Sequence, residues 1–418
     1  MFILYDLVFI IFMLVSLPVY LFKGKFHRGF IRRFGGIPKG VTFDRPIWIH
    51  AVSVGEAVVM RGLIEELRVL FSLKSFIIST VTPTGNKIAR SIARDSDFVT
   101  YLPLDLSFIT KRVIEKTKPC IFIIAETEIW PNLINTLYNY KIPVAILNAR
   151  ISDGSFKGYA LIRCLIRPTL NKVNLFCAQS RNDSSRLKSL GVMPGRIEVT
   201  GNMKFDQVLK LKDDSRIYRD KLAFEEGEIL LVAGSTHPKE EEVLLNIYRK
   251  LLNLFPRLRL LLAPRHPERA DKVAGLVKHS GFNPQKVSFF NVKEMGRKTV
   301  FILDTVGDLA KFYAAADIVF VGGSLIRKGG HNILEPAFLG KPVIFGQYMF
   351  NFRDIAQEFL INRAALQVFN PEDLASRIKE LLDDSAKVKE LVTNAREVIS
   401  DNQGATKRNL ALIRKLIV

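Results

Sequence analysis

The chain has 418 residues, of which 48% are hydrophobic, 24% charged and 10% aromatic, and its 61 Lys and Arg against 41 Asp and Glu give a formal charge of +20. Those proportions exclude a disordered chain and a small stapled module, and at roughly 100 to 200 residues per domain the length predicts two domains, each able to bury a core. Three cysteines, Cys120, Cys164 and Cys177, odd in number and far apart, exclude a disulfide framework and a Cys-based zinc site.

Phe2 to Phe22 is apolar apart from Tyr5, Asp6, Ser16 and Tyr20. About 21 residues make roughly 30 Å of helix, the thickness of one hydrocarbon core. Lys23, Lys25, Arg28, Arg32, Arg33 and Lys39 follow with no carboxylate before Asp44, and no Lys or Arg precedes the run. The positive-inside rule then predicts a single-pass anchor over residues 1–23, with everything after it in the cytoplasm. A cleaved signal peptide would carry its basic residues before the apolar run and a small-residue site after it. Asp6 and Pro18 both penalise a clean span and leave open a helix lying in the interface or buried in the protein.

From Pro46 onward short β-branched runs alternate with helical patterns, the sign of βα units on parallel sheets. Ile47–Val52, Ser75–Val81, Phe98–Leu104, Cys120–Ala125, Val144–Asn148 and Leu175–Gln179 predict one sheet. After a polar stretch, Ile229–Ala233, Leu258–Ala263, Lys286–Phe290, Val300–Leu303, Ile318–Val321 and Val343–Phe345 predict a second. The expected fold is α/β with two Rossmann-like domains, residues 24–205 and 226–385, a linker at 206–225 and a helical tail at 386–418. Two such domains facing each other would set their strand ends around one cleft, so function is expected in the strand-to-helix turns.

Four turns carry unusual residues. His50 to Glu56 runs from a strand into a small-residue turn and a helix; Glu56 there either complements the helix dipole or serves as a general base. The segment lacks both the P-loop and the full Gly-x-Gly-x-x-Gly pattern. Glu126 to Asn132 puts Glu126 and Glu128 just after an apolar strand, with Pro131 suited to a first helical turn; either one Glu is simply near an N-cap, or Glu126 faces the cleft and orients an acceptor or the base. Gly234 to His237 and Ala263 to Arg269 end two strands of the second half, where a hydroxyl, an arginine and a helix N-terminus make an anion site, although capping alone also accounts for Ser235 or Thr236. Val321 to Pro336 holds four glycines, Arg327, Lys328, His331 and Asn332 before a helix. Such a loop brings backbone N–H groups to a phosphate, and Glu335 one turn in can accept from ribose hydroxyls. Val306-Gly307-Asp308 opens another helix on the same rim. No His pair has metal-ligand spacing and no Asp-x-Asp ends a candidate strand, so no metal requirement is expected.

These segments together carry a family resemblance. Ser53 to Glu56, Thr82-Pro83-Thr84-Gly85, Glu126 to Asn132, Asn148-Ala149-Arg150, Gly201 to Asp206, Pro264 to Arg269 and Gly322 to Glu335 resemble, in order, the motifs of the GT-B glycosyltransferases that transfer 3-deoxy-D-manno-octulosonic acid (Kdo) in lipopolysaccharide synthesis. The resemblance implies that Glu56 is the base and that Glu126 and Lys204 assist around the reacting centre. It further implies that Pro264 and Arg265, Val306, Gly307 and Asp308, and Asn332, Ile333, Leu334 and Glu335 bind the cytidine monophosphate part of CMP-Kdo. The family often reads Gly-Glu where this chain has Gly307-Asp308.

The reaction so implied is an inverting transfer of Kdo from CMP-Kdo to a hydroxyl of a lipid A precursor (lipid IVA). The expected partners are therefore CMP-Kdo, that lipid and the anionic inner-membrane surface, which suits the basic charge, and no nucleic acid. Arg150, Lys157, Arg163, Arg167 and Lys172, interleaved with Phe156, Tyr159, Leu161, Ile162, Leu165 and Ile166, either lie on that surface or form an ordinary amphipathic segment with a solvated basic face.

Overall fold

A computed structural model describes residues 2–22, 30–38, 40–207, 215–289, 296 and 298–417. The chain divides into two units, residues 1–207 with 403–418, and residues 208–402.

The first unit holds a seven-stranded sheet built from β1 (Ile47–His50), β2 (Phe76–Thr80), β3 (Phe98–Tyr101), β4 (Ile121–Ala125), β5 (Val144–Ala149), β6 (Leu175–Ala178) and β7 (Ile197–Val199), in the order β3-β2-β1-β4-β5-β6-β7. Every pairing is parallel. Because side chains alternate across a strand, a run that is apolar throughout needs a core on each face of the sheet. Ile47, Ile49, Ile121 and Ile123 bury themselves on one side. Trp48, Phe122 and Ile124 do so on the other, where the Trp48 and Phe122 rings lie 5.0 Å apart. The strand order reverses between β1 and β4, where His50 is in register with Ile124. In a doubly wound sheet that reversal opens a crevice beyond the carboxyl ends of the strands.

The second unit repeats the plan with β8 (Ile229–Thr236), β9 (Leu258–Pro264), β10 (Asn283–Lys286), β11 (Thr299–Ile302), β12 (Ile318–Val321), β13 (Val343–Gly346) and β14 (Leu366–Val368), in the order β10-β11-β9-β8-β12-β13-β14. Its reversal falls between β8 and β12, with Gly234 in register with Val321.

Each sheet has one strand more than the sequence pattern predicts. The extra strands, β7 and β14, are three residues long and stand at sheet edges, too short to show as an apolar run. The strand expected at Lys286–Phe290 forms instead at Asn283–Lys286, while Val287–Phe289 winds into a 3₁₀ turn and residue 290 lies outside the described residues. Pro284 is tolerated there because β10 is an edge strand.

The expected tail at 386–418 is split between the units. Helix Ser385–Asn402 stays with the second, and Ala405–Arg414 returns to the first. The Asp206 carboxylate receives the backbone N–H groups of Gly404 (2.7 Å) and Thr406 (2.6 Å), which fastens the start of that last helix. Of the expected linker, residues 208–214 lie outside the described residues and Ser215–Lys221 is helical.

The apolar N-terminal run forms one helix, Phe2–Phe22, as its composition predicts. Among the described residues, however, no helix is long and apolar enough to cross a membrane, and the expected single-pass anchor is not supported. The physical reason lies at Asp6. Its carboxylate receives the Ser107 N–H (3.1 Å), the Ser107 hydroxyl (2.5 Å) and Asn132 Nδ2 (2.6 Å), while Phe9 and Met13 pack against the first unit's core. A carboxylate satisfied in this way ties the first half of the helix to the protein body.

Candidate active site

In the first unit the turn after β1 positions Glu56. Ser53 is the N-cap of helix Val54–Leu70, and its hydroxyl both receives the Glu56 N–H (3.4 Å) and donates to Glu56 Oε1 (3.0 Å). This is the reciprocal arrangement of a capping box, with Glu56 as its third helical residue. The Val52 N–H donates to Glu56 Oε2 at 2.5 Å and fixes the second oxygen. Beneath the turn, the Thr82 hydroxyl donates to the Val52 carbonyl at 3.3 Å and receives the Gly85 N–H at 3.0 Å. A Cβ at Gly85 would lie 2.9 Å from that hydroxyl and 3.3 Å from the carbonyl, so the Thr82–Gly85 motif buttresses the Glu56 turn by close approach.

Glu126 stands at the end of β4, the strand beside β1, with φ at +58°. A non-glycine residue in the left-handed region is strained, and the surroundings hold it there: its N–H donates to the Leu147 carbonyl at 2.8 Å. Its carboxylate pairs with Lys204 Nζ at 3.6 Å. Lys204 is placed by Asn148, itself at φ +54° and fully buried, whose Oδ1 receives the Met203 N–H at 3.0 Å. Three of the sequence motifs, at residues 126, 148 and 204, thus form one structure.

Burial, the negative charge of Glu126 and three opposing hydrogen bonds act together on Glu56, and its proton affinity is raised. Glu128 is raised further, to about 7, by burial first and then by Glu56 and Glu126. The turn therefore gathers three carboxylates around one another, with Lys204 against Glu126. Two neighbouring carboxyl groups whose proton affinities are pushed up are the groups able to accept or hold a proton near neutrality. The sequence pattern alone leaves Glu128 without a role of its own; its signal is a second carboxylate three residues beyond a buried strand.

In the second unit the turns after β8, β9 and β12 carry the expected anion-binding residues. Arg265 is exposed, and its N–H donates to the Thr236 carbonyl at 2.9 Å. Its charge acts on Glu335, which receives Asn332 Nδ2 at 3.0 Å; the net shift of Glu335 is upward because burial prevails. Asn332 Oδ1 receives the Leu334 N–H at 3.1 Å. Pro264, Ile333 and Leu334 are buried, so the last two serve the core with their side chains and offer only backbone to a ligand. Val306 is exposed, Gly307 has φ +89°, and Asp308 pairs with Lys311 at 2.6 Å at the start of helix Leu309–Ala315. Among the described residues, no group of three or more His, Cys, Asp or Glu side chains is arranged to hold a metal ion.

Close backbone approach shapes this rim. A Cβ at Gly322 would lie 2.7 Å from the Ser235 carbonyl oxygen, and one at Gly346 would lie 2.3 Å from the Ser324 carbonyl oxygen. Glu240 binds the loops together: its buried carboxylate receives the backbone N–H groups of His237 (3.0 Å), Gly323 (2.7 Å), Ser324 (3.1 Å) and Leu325 (3.1 Å).

Each of the two doubly wound units carries a polar cluster at its strand-order reversal, where open α/β sheets bind ligands. Residues 28–207 match the family model described as 3-deoxy-D-manno-octulosonic-acid transferase, and residues 214–398 match that of glycosyl transferases group 1. A relative from Haemophilus influenzae, named 3-deoxy-D-manno-octulosonic acid transferase, is 37% identical over 371 residues, covering 88% of this chain and 86% of that protein. One of the same name from Chlamydia trachomatis is 28% identical and covers 99% of this chain and 97% of its own. The chain belongs to the Kdo transferase family. Among solved structures, a putative UDP-N-acetylglucosamine 2-epimerase from Listeria monocytogenes superposes with a TM-score of 0.60 at 14% identity, covering 89% of this chain and 96% of that one, which speaks for the fold alone.

Proposed function

We propose that this Kdo transferase uses CMP-Kdo as donor and a hydroxyl of lipid IVA as acceptor, and inverts the anomeric centre. Glu56 takes the acceptor hydroxyl proton; the oxygen bonds to the anomeric carbon of Kdo as the bond from that carbon to the phosphate oxygen breaks, and CMP leaves with the electron pair. Glu126 and Lys204 steady charge around the reacting centre, while Arg265, Asn332, Glu335 and the backbone of Ile333 and Leu334 hold the nucleotide, with Pro264, Val306, Gly307 and Asp308 at its rim. The observation that carries the reading is the capping box that fixes Glu56 while burial and Glu126 raise its proton affinity, the condition for a general base near neutrality.

An acylated acceptor fits an apolar cavity of about 360 Å³ in the first unit, lined by Leu4, Val8, Ile129, Tyr159, Leu165 and Ile166. Ile129 follows Glu128 directly, so the cavity begins beside the carboxylates. The enzyme then works at the cytoplasmic face of the inner membrane, with the exposed Leu7, Ile11 and Phe12 of the first helix and the exposed Leu161 turned to a lipid surface. Incubating purified protein with CMP-Kdo and lipid IVA and reading the product mass tests the reading. One or more added Kdo units is expected, also in excess EDTA; an unchanged acceptor mass would overturn it.

A further inference from the structure

The donor reading leaves three histidines that follow strand ends of the second unit without a task. His237 follows β8, His266 follows β9 and His331 ends the glycine loop after β12. The His237 and His331 rings meet edge to edge, their centroids 5.2 Å apart with 6° between their planes, and their Nε2 atoms lie 3.0 Å apart. His266 stands edge-on to His237 at 6.3 Å.

A 3.0 Å contact between two imidazole nitrogens admits only certain protonation states. One ring must donate Nε2–H and the other must accept with a bare Nε2. The neutral pair has a free Nδ1 lone pair on the donor ring, and a single added proton goes there. A second added proton would set two N–H groups head-on, so the pair holds zero or one positive charge.

The surroundings fix this geometry before any ligand arrives. The buried Glu240 carboxylate binds the N–H of His237 and those of Gly323 to Leu325, tying together the loops that bear the two rings. Gly323, at φ +67°, leaves the space: a Cβ there would lie 3.0 Å from His331 Cδ2 and Nε2 and 3.4 Å from His237 Cδ2.

The charges facing the pair are mainly cationic. Burial and then Arg265, His237 and His266 press His331 down to about 4. Burial, Lys328, His266, Arg269 and Arg265 lower His237 as well. The nearby carboxylates are engaged elsewhere, Glu240 with backbone, Glu241 with Arg269 and Thr236, and Glu335 with Asn332. The empty pair is therefore neutral at pH 7. An anion beside Arg265 would reverse the local field and favour the charged form.

We propose that His237 and His331 form a proton-sharing pair that takes up one proton when the nucleotide phosphate binds beside Arg265, and gives it back when the nucleotide leaves. The pair would add positive charge as negative charge collects on the leaving phosphate, and would lose it again for release. This proposal rests on the donor-site reading above.

Calorimetric titration of the full chain with CMP, in buffers of differing ionisation enthalpy at pH 7, counts the protons exchanged. The phosphate is almost fully ionised there, its second pKa being about 6, so uptake reports the protein. Wild-type protein should take up between about half and one proton per CMP. The double variant His237→Gln/His331→Gln should take up none and bind CMP roughly tenfold or more weakly. Cytidine, which lacks the phosphate, should drive no uptake; this comparison uses wild-type protein and decides the matter even if the variant does not fold. CMP binding without proton uptake, uptake unchanged in the double variant, or equal uptake with cytidine would overturn the pair while leaving the donor site standing. Failure of wild-type protein to bind CMP would instead overturn the donor-site reading, and the pair with it.

Discussion

Lys204 Nζ and Glu126 Oε1 lie 3.6 Å apart, and a separate backbone bond holds the segment bearing each: the Glu126 N–H donates to the Leu147 carbonyl, and Asn148 Oδ1 receives the N–H of Met203, the residue before Lys204. The ammonium therefore sits beside a group of three mutually repelling carboxylates by virtue of the fold. Lys204→Met should raise the proton affinity of that group. The acid limb of the pH profile of kcat/KM should move to higher pH, with kcat reduced at pH 7. An unmoved limb would show that Lys204 does not act on the base.

The polar seat of the first helix predicts a stability effect at a distance from the chemistry. Asp6→Ala removes the acceptor for the Ser107 N–H and hydroxyl and for Asn132 Nδ2, and should lower unfolding stability by about 1 to 2 kcal/mol. Denaturant melts of the purified variant read this directly. If the helix instead left the body to span a bilayer, the substitution would not destabilise the first unit.

Glu128 links pH to stability. Its proton is bound more tightly folded than unfolded, from 4.5 up to about 7, so it supports folding below about 4.5 and that support is lost as the pH rises through 7. Glu128→Gln removes the dependence. The variant should be more stable than wild type at pH 8 by about 3 kcal/mol, and this gain should vanish at pH 4.5. A gain equal at both pH values would mean that the benefit is not electrostatic.

The parallel sheets were legible because fully apolar runs such as Ile121–Ala125 need no partner information to be read as buried strands. The edge strands β7 and β14 were not, since three residues with one face in solvent carry no period. The N-terminal helix was legible as a helix, but its apolar length suggested a membrane span, because the acceptor role of Asp6 depends on Ser107 and Asn132, about a hundred residues away and more. The site motifs were visible as unusual residues in turns. What tied them together was not: the left-handed Glu126 and Asn148 and the paired histidines are tertiary facts.

Arg265 and Asn332 separate two kinds of nucleotide contact. Arg265 is exposed, and among the described residues its side chain makes no hydrogen bond or ion pair, so Arg265→Ala should weaken CMP binding roughly tenfold with no change in melting temperature. Asn332 also braces Glu335 and the Leu334 N–H. Asn332→Ala should therefore lower both CMP affinity and the stability of the second unit. Calorimetry paired with thermal melts checks both, and full CMP affinity in the two variants would place the nucleotide elsewhere.

Glu56→Gln tests the chemistry with the least disturbance to the fold. Glutamine is accepted at the third position of a capping box: its amide oxygen can keep the bond from the Val52 N–H, and its amide NH2 can donate to the Ser53 hydroxyl in place of the bond that hydroxyl gave. Loss of the carboxylate also relieves its repulsion with Glu126 and Glu128, so the variant should be as stable as wild type or slightly more so. What it cannot do is take the acceptor proton. Transfer should fall on the order of 10²-fold or more, while CMP affinity, carried by residues of the second unit, stays the same. Glu56→Ala supplies the control, since it removes the cap as well and should cost about 1 kcal/mol of stability beyond the same loss of rate. If Glu56→Gln transfers Kdo at a near wild-type rate, the base is another carboxylate of the cluster, and Glu128→Gln, raised in proton affinity to about 7, becomes the variant that should stop the reaction.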